Sequence, residues 1–84
     1  MQLAPTEGGE DGVAVAEVDP RSPAAEKGIR KGDVILDVGG RTVSRPDDVR
    51  SAVEAARKDG RKTVLMRVRG RDGVRFVAVA FATT

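Results

Sequence analysis

Residues 22–43 read SPAAEKGIRKGDVILDVGGRTV, and this stretch decides the fold. Ser22 can cap a helix, Pro23 suits its first position, and Lys27 sits favourably at its negative end. Gly28 supplies the left-handed stop, so Ser22–Gly28 is predicted as a short helix. Gly32-Asp33 turns the chain, and the aspartate carboxylate can tie that turn by an Asx-type hydrogen bond. Asp33–Val38 is an apolar strand. Gly39-Gly40 is a hairpin turn signal, and Arg41–Val43 is a brief returning strand.

Working outward, Gln2–Ala4 reads as a short strand stopped by Pro5, and residues 5–11 form a Gly-rich acidic loop. Gly12–Val18 (GVAVAEV) is a strand, followed by a turn at Asp19-Pro20-Arg21. Downstream, Ser44 or Asp47 begins the longest helix, which runs to about Lys58 and ends at Gly60. Its small apolar residues Val49, Ala52, Val53 and Ala56 recur at spacings of three and four. Thr63–Arg69 and Val74–Ala82 form a hairpin around Gly70-Arg71-Asp72-Gly73, whose Asp-Gly pair favours positive φ. The expected class is α+β: one domain over residues 1–84, with a small, mainly antiparallel sheet or partly open barrel of five to six strands capped by two helices.

Composition narrows the function. The hydrophobic fraction of the 84 residues is 39%, with two Phe and no Trp or Tyr, so the core must be aliphatic. There is no cysteine for a disulfide or a thiolate site, and no histidine, the commonest general base and metal ligand. No Ser-His-Asp arrangement can be built, no catalytic residue is assigned, and neither a cofactor nor a metal is expected. A net charge of +2 with 33% charged residues of mixed sign describes a solvated surface and not a nucleic-acid footprint. No apolar run approaches the roughly 20 residues that span a bilayer, so direct membrane insertion is not expected. Met1 is not followed by a basic and then an apolar stretch, so any export signal of a parent protein is expected outside this sequence.

The stretch 22–43 closely resembles the PDZ family pattern. Its pieces are Ala24-Ala25, Gly28-Ile29, Gly32-Asp33, Val34-Ile35-Leu36 and Val38-Gly39-Gly40. The helix near SRPDDV and the closing hairpin fit the same pattern, which covers about Gly12 to Phe81. The strand order is similar to the bacterial, permuted variety, in which the closing strand comes from the C-terminus. The MQLAP start resembles the groove strand of the HtrA/Deg envelope serine proteases. Two departures stand out. The family turn usually reads Asn-Gly, here Gly39-Gly40, and the family's carboxylate-binding loop should end at about Met1, so a loop truncated by two residues or replaced by an initiator Met is expected.

The resemblance implies a non-catalytic peptide-binding and regulatory module of a larger serine protease of the periplasm or cell envelope. An extended peptide would add as a strand beside Gln2–Ala4, facing the helix that carries Val49, Val53 and Ala56. The peptide-binding residues are then Met1, Gln2, Leu3, Ala4, Val49, Val53 and Ala56. Val49 stands where many eukaryotic relatives carry His, which favours an apolar peptide residue two positions before the end. Expected partners are peptide or protein C-termini with apolar ends and other domains of the parent protease; nucleic acid is not among them. The alternatives are an inter-domain structural module whose groove is incomplete or blocked, and a PDZ domain of another envelope or membrane protease. Leu3, Val49 and Val53 are also good core residues, and packing alone would account for them.

Four further features have plainer readings. Gly32-Asp33 and Asp47-Asp48 suit a turn and a helix N-terminus. The cluster Arg57, Lys58, Arg61, Lys62, Arg67, Arg69, Arg71 and Arg75 suits a solvated face, since only Phe76 could stack on a base. The Gly-rich stretches lack phosphate-loop spacing.

Overall fold

The glycines and prolines that punctuate the sequence set the boundaries of eight elements in the computed structural model, which describes residues 2–6 and 12–80. In chain order they are β1 (Gln2–Pro5), β2 (Val13–Glu17), α1 (Pro23–Glu26), β3 (Val34–Val38), β4 (Arg41–Thr42), α2 (Pro46–Lys58), β5 (Thr63–Gly70) and β6 (Gly73–Ala80). Met1, most of the expected loop (residues 7–11) and the expected end of the last strand at residues 81–82 lie outside the described residues.

The short helix forms as its sequence dictates. The Ser22 hydroxyl oxygen accepts a hydrogen bond from the Ala25 N–H at 3.3 Å and donates to the Asp19 carbonyl at 2.7 Å. Gly28 ends the turn at φ 87°. The Gly32-Asp33 turn is tied by the Asp33 carboxylate, which accepts from the Arg30 N–H at 3.0 Å. Gly39 and Gly40 both take positive φ, 58° and 85°, the signature of a type I′ turn, and Val38 pairs with Arg41 across it. At the second hairpin Gly70 pairs with Gly73. There Gly73 alone takes positive φ, 108°, while Asp72 does not.

All pairings are antiparallel, in the order β1-β2-β3-β5-β6, with β4 added to β3. The inward face of the sheet supplies Val13, Val15, Ile35, Val38, Val64, Met66, Val68, Val77 and Val79, and α2 covers it with Val49 and Ala52. The core is aliphatic, and no polar or charged residue among those described is buried. Two long-range contacts fasten the periphery. Arg75 Nη2 donates to the Gly28 carbonyl at 2.6 Å, joining β6 to the end of α1. Arg67 Nε lies 2.7 Å from Asp37 Oδ2, an ion pair whose angle does not make a hydrogen bond.

Candidate functional site

A sheet needs a partner on both sides of every inner strand, and among the described residues β1 has one on a single side. It pairs with β2 through Leu3↔Val15, Ala4↔Ala14 and Pro5↔Val13, with an irregularity between Gln2 and Leu3. It ends the strand order, and α2 packs near it. The unpaired edge therefore borders a helix, leaving backbone N–H and C=O groups for an added strand. Pro5 brings no N–H, so the donors of β1 come from Gln2, Leu3 and Ala4.

Leu3 on β1 and Val53 and Ala56 on α2 are half-buried and pack against the core from above. They supply apolar surface beside the open edge. Val49 sits deeper, 3% exposed, and belongs mainly to the core. Gln2 is exposed and Ala4 half-buried, while Met1 lies outside the described residues. Ala56 is placed between two surfaces, because it also lines a cleft on the other flank of α2.

The helix that walls the site is positioned by its first turn. Arg45 occupies the N-cap position and Pro46 the first turn. The Asp48 carboxylate reaches back to accept from the N–H groups of Ser44 at 3.0 Å and Arg45 at 3.1 Å. These bonds, Ser44's first, hold the Asp48 carboxyl below the usual carboxylate range. The true start thus falls between the two starts expected from sequence, and Asp48 is its anchor. Asp47 pairs with exposed Arg50, at 3.4 Å.

Three members of the basic cluster are engaged within the fold. Arg67 goes to Asp37, Arg75 to Gly28, and Arg61 to Asp59 at 3.3 Å. No group of three or more potential metal ligands is present among the described residues, and no helix there is long and apolar enough to cross a membrane.

Comparison with known proteins agrees with this layout. The sequence pattern of the PDZ domain matches residues 14–69. A probable periplasmic serine endoprotease, DegP-like, from Brucella suis is 47% identical over 79 residues, 94% of this chain and 15% of that protein. A protein of the same description from Bartonella henselae is 46% identical over 77 residues, 92% of this chain and 15% of its own length. The chain thus spans 15% of the length of these relatives. Among solved structures, the HtrA3 PDZ domain bound to a phage-derived ligand (FGRWV) superposes with a TM-score of 0.70 at 30% identity, covering 82% of this chain and 58% of the other. The chain belongs to the PDZ domain family, in the variety carried by the HtrA/Deg-type serine proteases.

Proposed function

We propose that the chain binds extended peptides with a free, apolar C-terminus, which add as a strand to the open edge of β1 and lie between it and α2. The observation that carries this reading is the single-sided pairing of β1, flanked by half-buried Leu3, Val53 and Ala56. The ligand of the HtrA3 domain ends in Val, which favours the same terminal pocket here. Two positions before the end that ligand has Arg, and Val49 offers almost no surface, so selectivity at that position is weak.

Within a DegP-like parent, the module would hold exposed C-termini of misfolded substrates or of neighbouring chains in the periplasm or cell envelope. Contacts with other domains of that parent would convey occupancy. Peptide cleavage would belong to a separate domain, because a chain without His or Cys assembles no activated Ser or Cys nucleophile of the common kind.

The test is a titration of the chain with the pentapeptide FGRWV and with variants ending in Asp or Lys, read by backbone amide shifts. Each buried CH₂ contributes about 0.8 kcal/mol, so the Val side chain is worth up to ~2 kcal/mol, or about thirtyfold. The Val peptide should bind at least about tenfold more tightly, with shifts at Gln2–Pro5 and along α2, and with exchange of Arg for Leu or Ser altering affinity less than about threefold. Equal binding of the Asp or Lys peptides, or shifts centred on Arg67–Arg75, would overturn the reading.

A further inference from the structure

The flank of α2 turned away from β1 carries a second cleft, of about 630 Å³. One wall is the Gly39–Arg41 turn, the other the last turns of α2 from Ala52 to Asp59, with Val64 at the bottom and Leu65 at the lip. No residue of β1 or β2 contributes to it, and neither Leu3 nor Val53 lines it. Of the apolar residues beside the edge of β1 only Ala56 reaches it, so the two sites lie on different flanks of α2 and meet at that one residue.

We propose that this cleft is a second docking site, and that it takes an internal acidic–apolar segment of a polypeptide. Charge complementarity gives the first part of the chemistry. Arg41 and Lys58 stand on opposite walls, both exposed, and neither side chain makes a hydrogen bond or ion pair among the described residues. The one acidic group lining the cleft among the described residues, Asp59, is engaged by Arg61 at 3.3 Å. Helix C-terminal carbonyls would ordinarily repel an anion. Here those of Ala55, Ala56 and Arg57 already accept from the N–H groups of Asp59, Arg61 and Gly60. What remains at the rim is positive.

The apolar part comes from the floor and the lip. Val64 is buried and the helical wall is Ala52 and Ala55, so the floor is apolar and shallow. Leu65 at the lip is 51% exposed. Its cross-strand partner on β6 is Ala78, and the next outward pair is Arg67↔Phe76, with Phe76 68% exposed. Leu65, Val74 and Phe76 are the exposed large hydrophobics of the described residues, and all three project from the same outer face of β5 and β6. Leu65 thus borders both the cleft and this outer face, where the exposed apolar side chains alternate with Arg67. A trough of small residues suits a few side chains of an extended segment better than it encloses an acyl chain.

The probe is a hexapeptide blocked at both ends, acetyl-Asp-Glu-Leu-Phe-Glu-Asp-amide, which offers no free carboxy terminus to the β1 edge. Its counterpart replaces each acid by Lys, and dodecanoate serves as the lipid-like anion. Titration followed by amide shifts should move Gly39–Arg41, Ala55–Lys58 and Leu65 with the acidic peptide, and not with the basic one. The double variant Arg41→Glu/Lys58→Glu should weaken that binding by about tenfold or more. An unchanged amide spectrum away from the cleft and an unchanged denaturation midpoint would establish that the variant is folded. Equal response to the basic peptide, shifts confined to Gln2–Pro5, a response to dodecanoate with none to the peptide, or full binding by the folded double variant would overturn the proposal. Because the probe lacks a free terminus, this result is independent of the outcome at β1.

Discussion

Gly12→Ala tests how the strand behind β1 is held. Gly12 enters β2 at φ 98°, and its N–H donates to the Val43 carbonyl at 3.1 Å. A Cβ there would lie 2.6 Å from Val34 Cγ1, 2.9 Å from the Ile35 carbonyl oxygen and 3.1 Å from Leu36 Cδ2. The carbonyl is ladder backbone and cannot swing aside. Gly40 is the control: its φ is 85°, and a Cβ there meets nothing within 4 Å. Both substitutions carry the positive-φ cost of about 1 kcal/mol. Only Gly12→Ala adds forced repacking, at ~1–3 kcal/mol. The expected losses are about 1 kcal/mol for Gly40→Ala and about 2–4 kcal/mol for Gly12→Ala. Urea unfolding measures both, provided the slope is unchanged. For a domain of this size the difference corresponds to a melting point lower by roughly 4 °C or more. Equal losses would refute the close approach of Gly12 to β3, and with it the placement of β2 behind the groove strand.

Further expectations follow from the same contacts. Ser22→Ala should cost about 1 kcal/mol, because the Ala25 N–H loses its cap and the Asp19 carbonyl one of its two donors; an unchanged unfolding midpoint would count against the cap. Asp48 has a lowered folded-state pKa, so its contribution is present above the unfolded carboxylate pKa and is lost as pH falls through the folded one. Asp48→Asn should therefore flatten the acid limb of the stability–pH profile, and an identical limb in both proteins would refute the assignment. The isolated chain should hydrolyse neither peptides nor esters; turnover that tracks its concentration through purification would contradict this.

Much of the fold is legible because its signals are local. Ser22, Pro23 and Gly28 each act within one turn of α1, and Gly39-Gly40 fixes a hairpin by backbone freedom alone. The start of α2 is harder, since Ser44, Asp47 and Asp48 are all plausible caps by residue type. The outcome depends on one carboxylate reaching two N–H groups while Pro46 fills the first turn. The contacts of Arg67 and Arg75 are invisible in one dimension, for they require the β3–β5–β6 register; Arg75 and Gly28 are 47 residues apart. Helical periodicity puts Val49 and Val53 on one face of α2, but only the packing of the helix in the fold separates buried Val49 from half-buried Val53. Ala55 and the Gly39–Arg41 turn carry no sequence signal of a cleft, which arises only when the β3–β4 hairpin and the end of α2 meet.

Strand addition to β1 makes one demand that side-chain docking does not: the outward backbone amides of β1 must become hydrogen-bonded. Native-state amide hydrogen exchange, with and without saturating FGRWV, reads this directly. Those amides among Gln2, Leu3 and Ala4 that do not bond to β2 should exchange at least about tenfold more slowly in the complex, at the slower rate typical of paired strands. Unchanged exchange in β1 at saturation, with protection appearing elsewhere on the domain, would contradict peptide binding by strand addition at this edge.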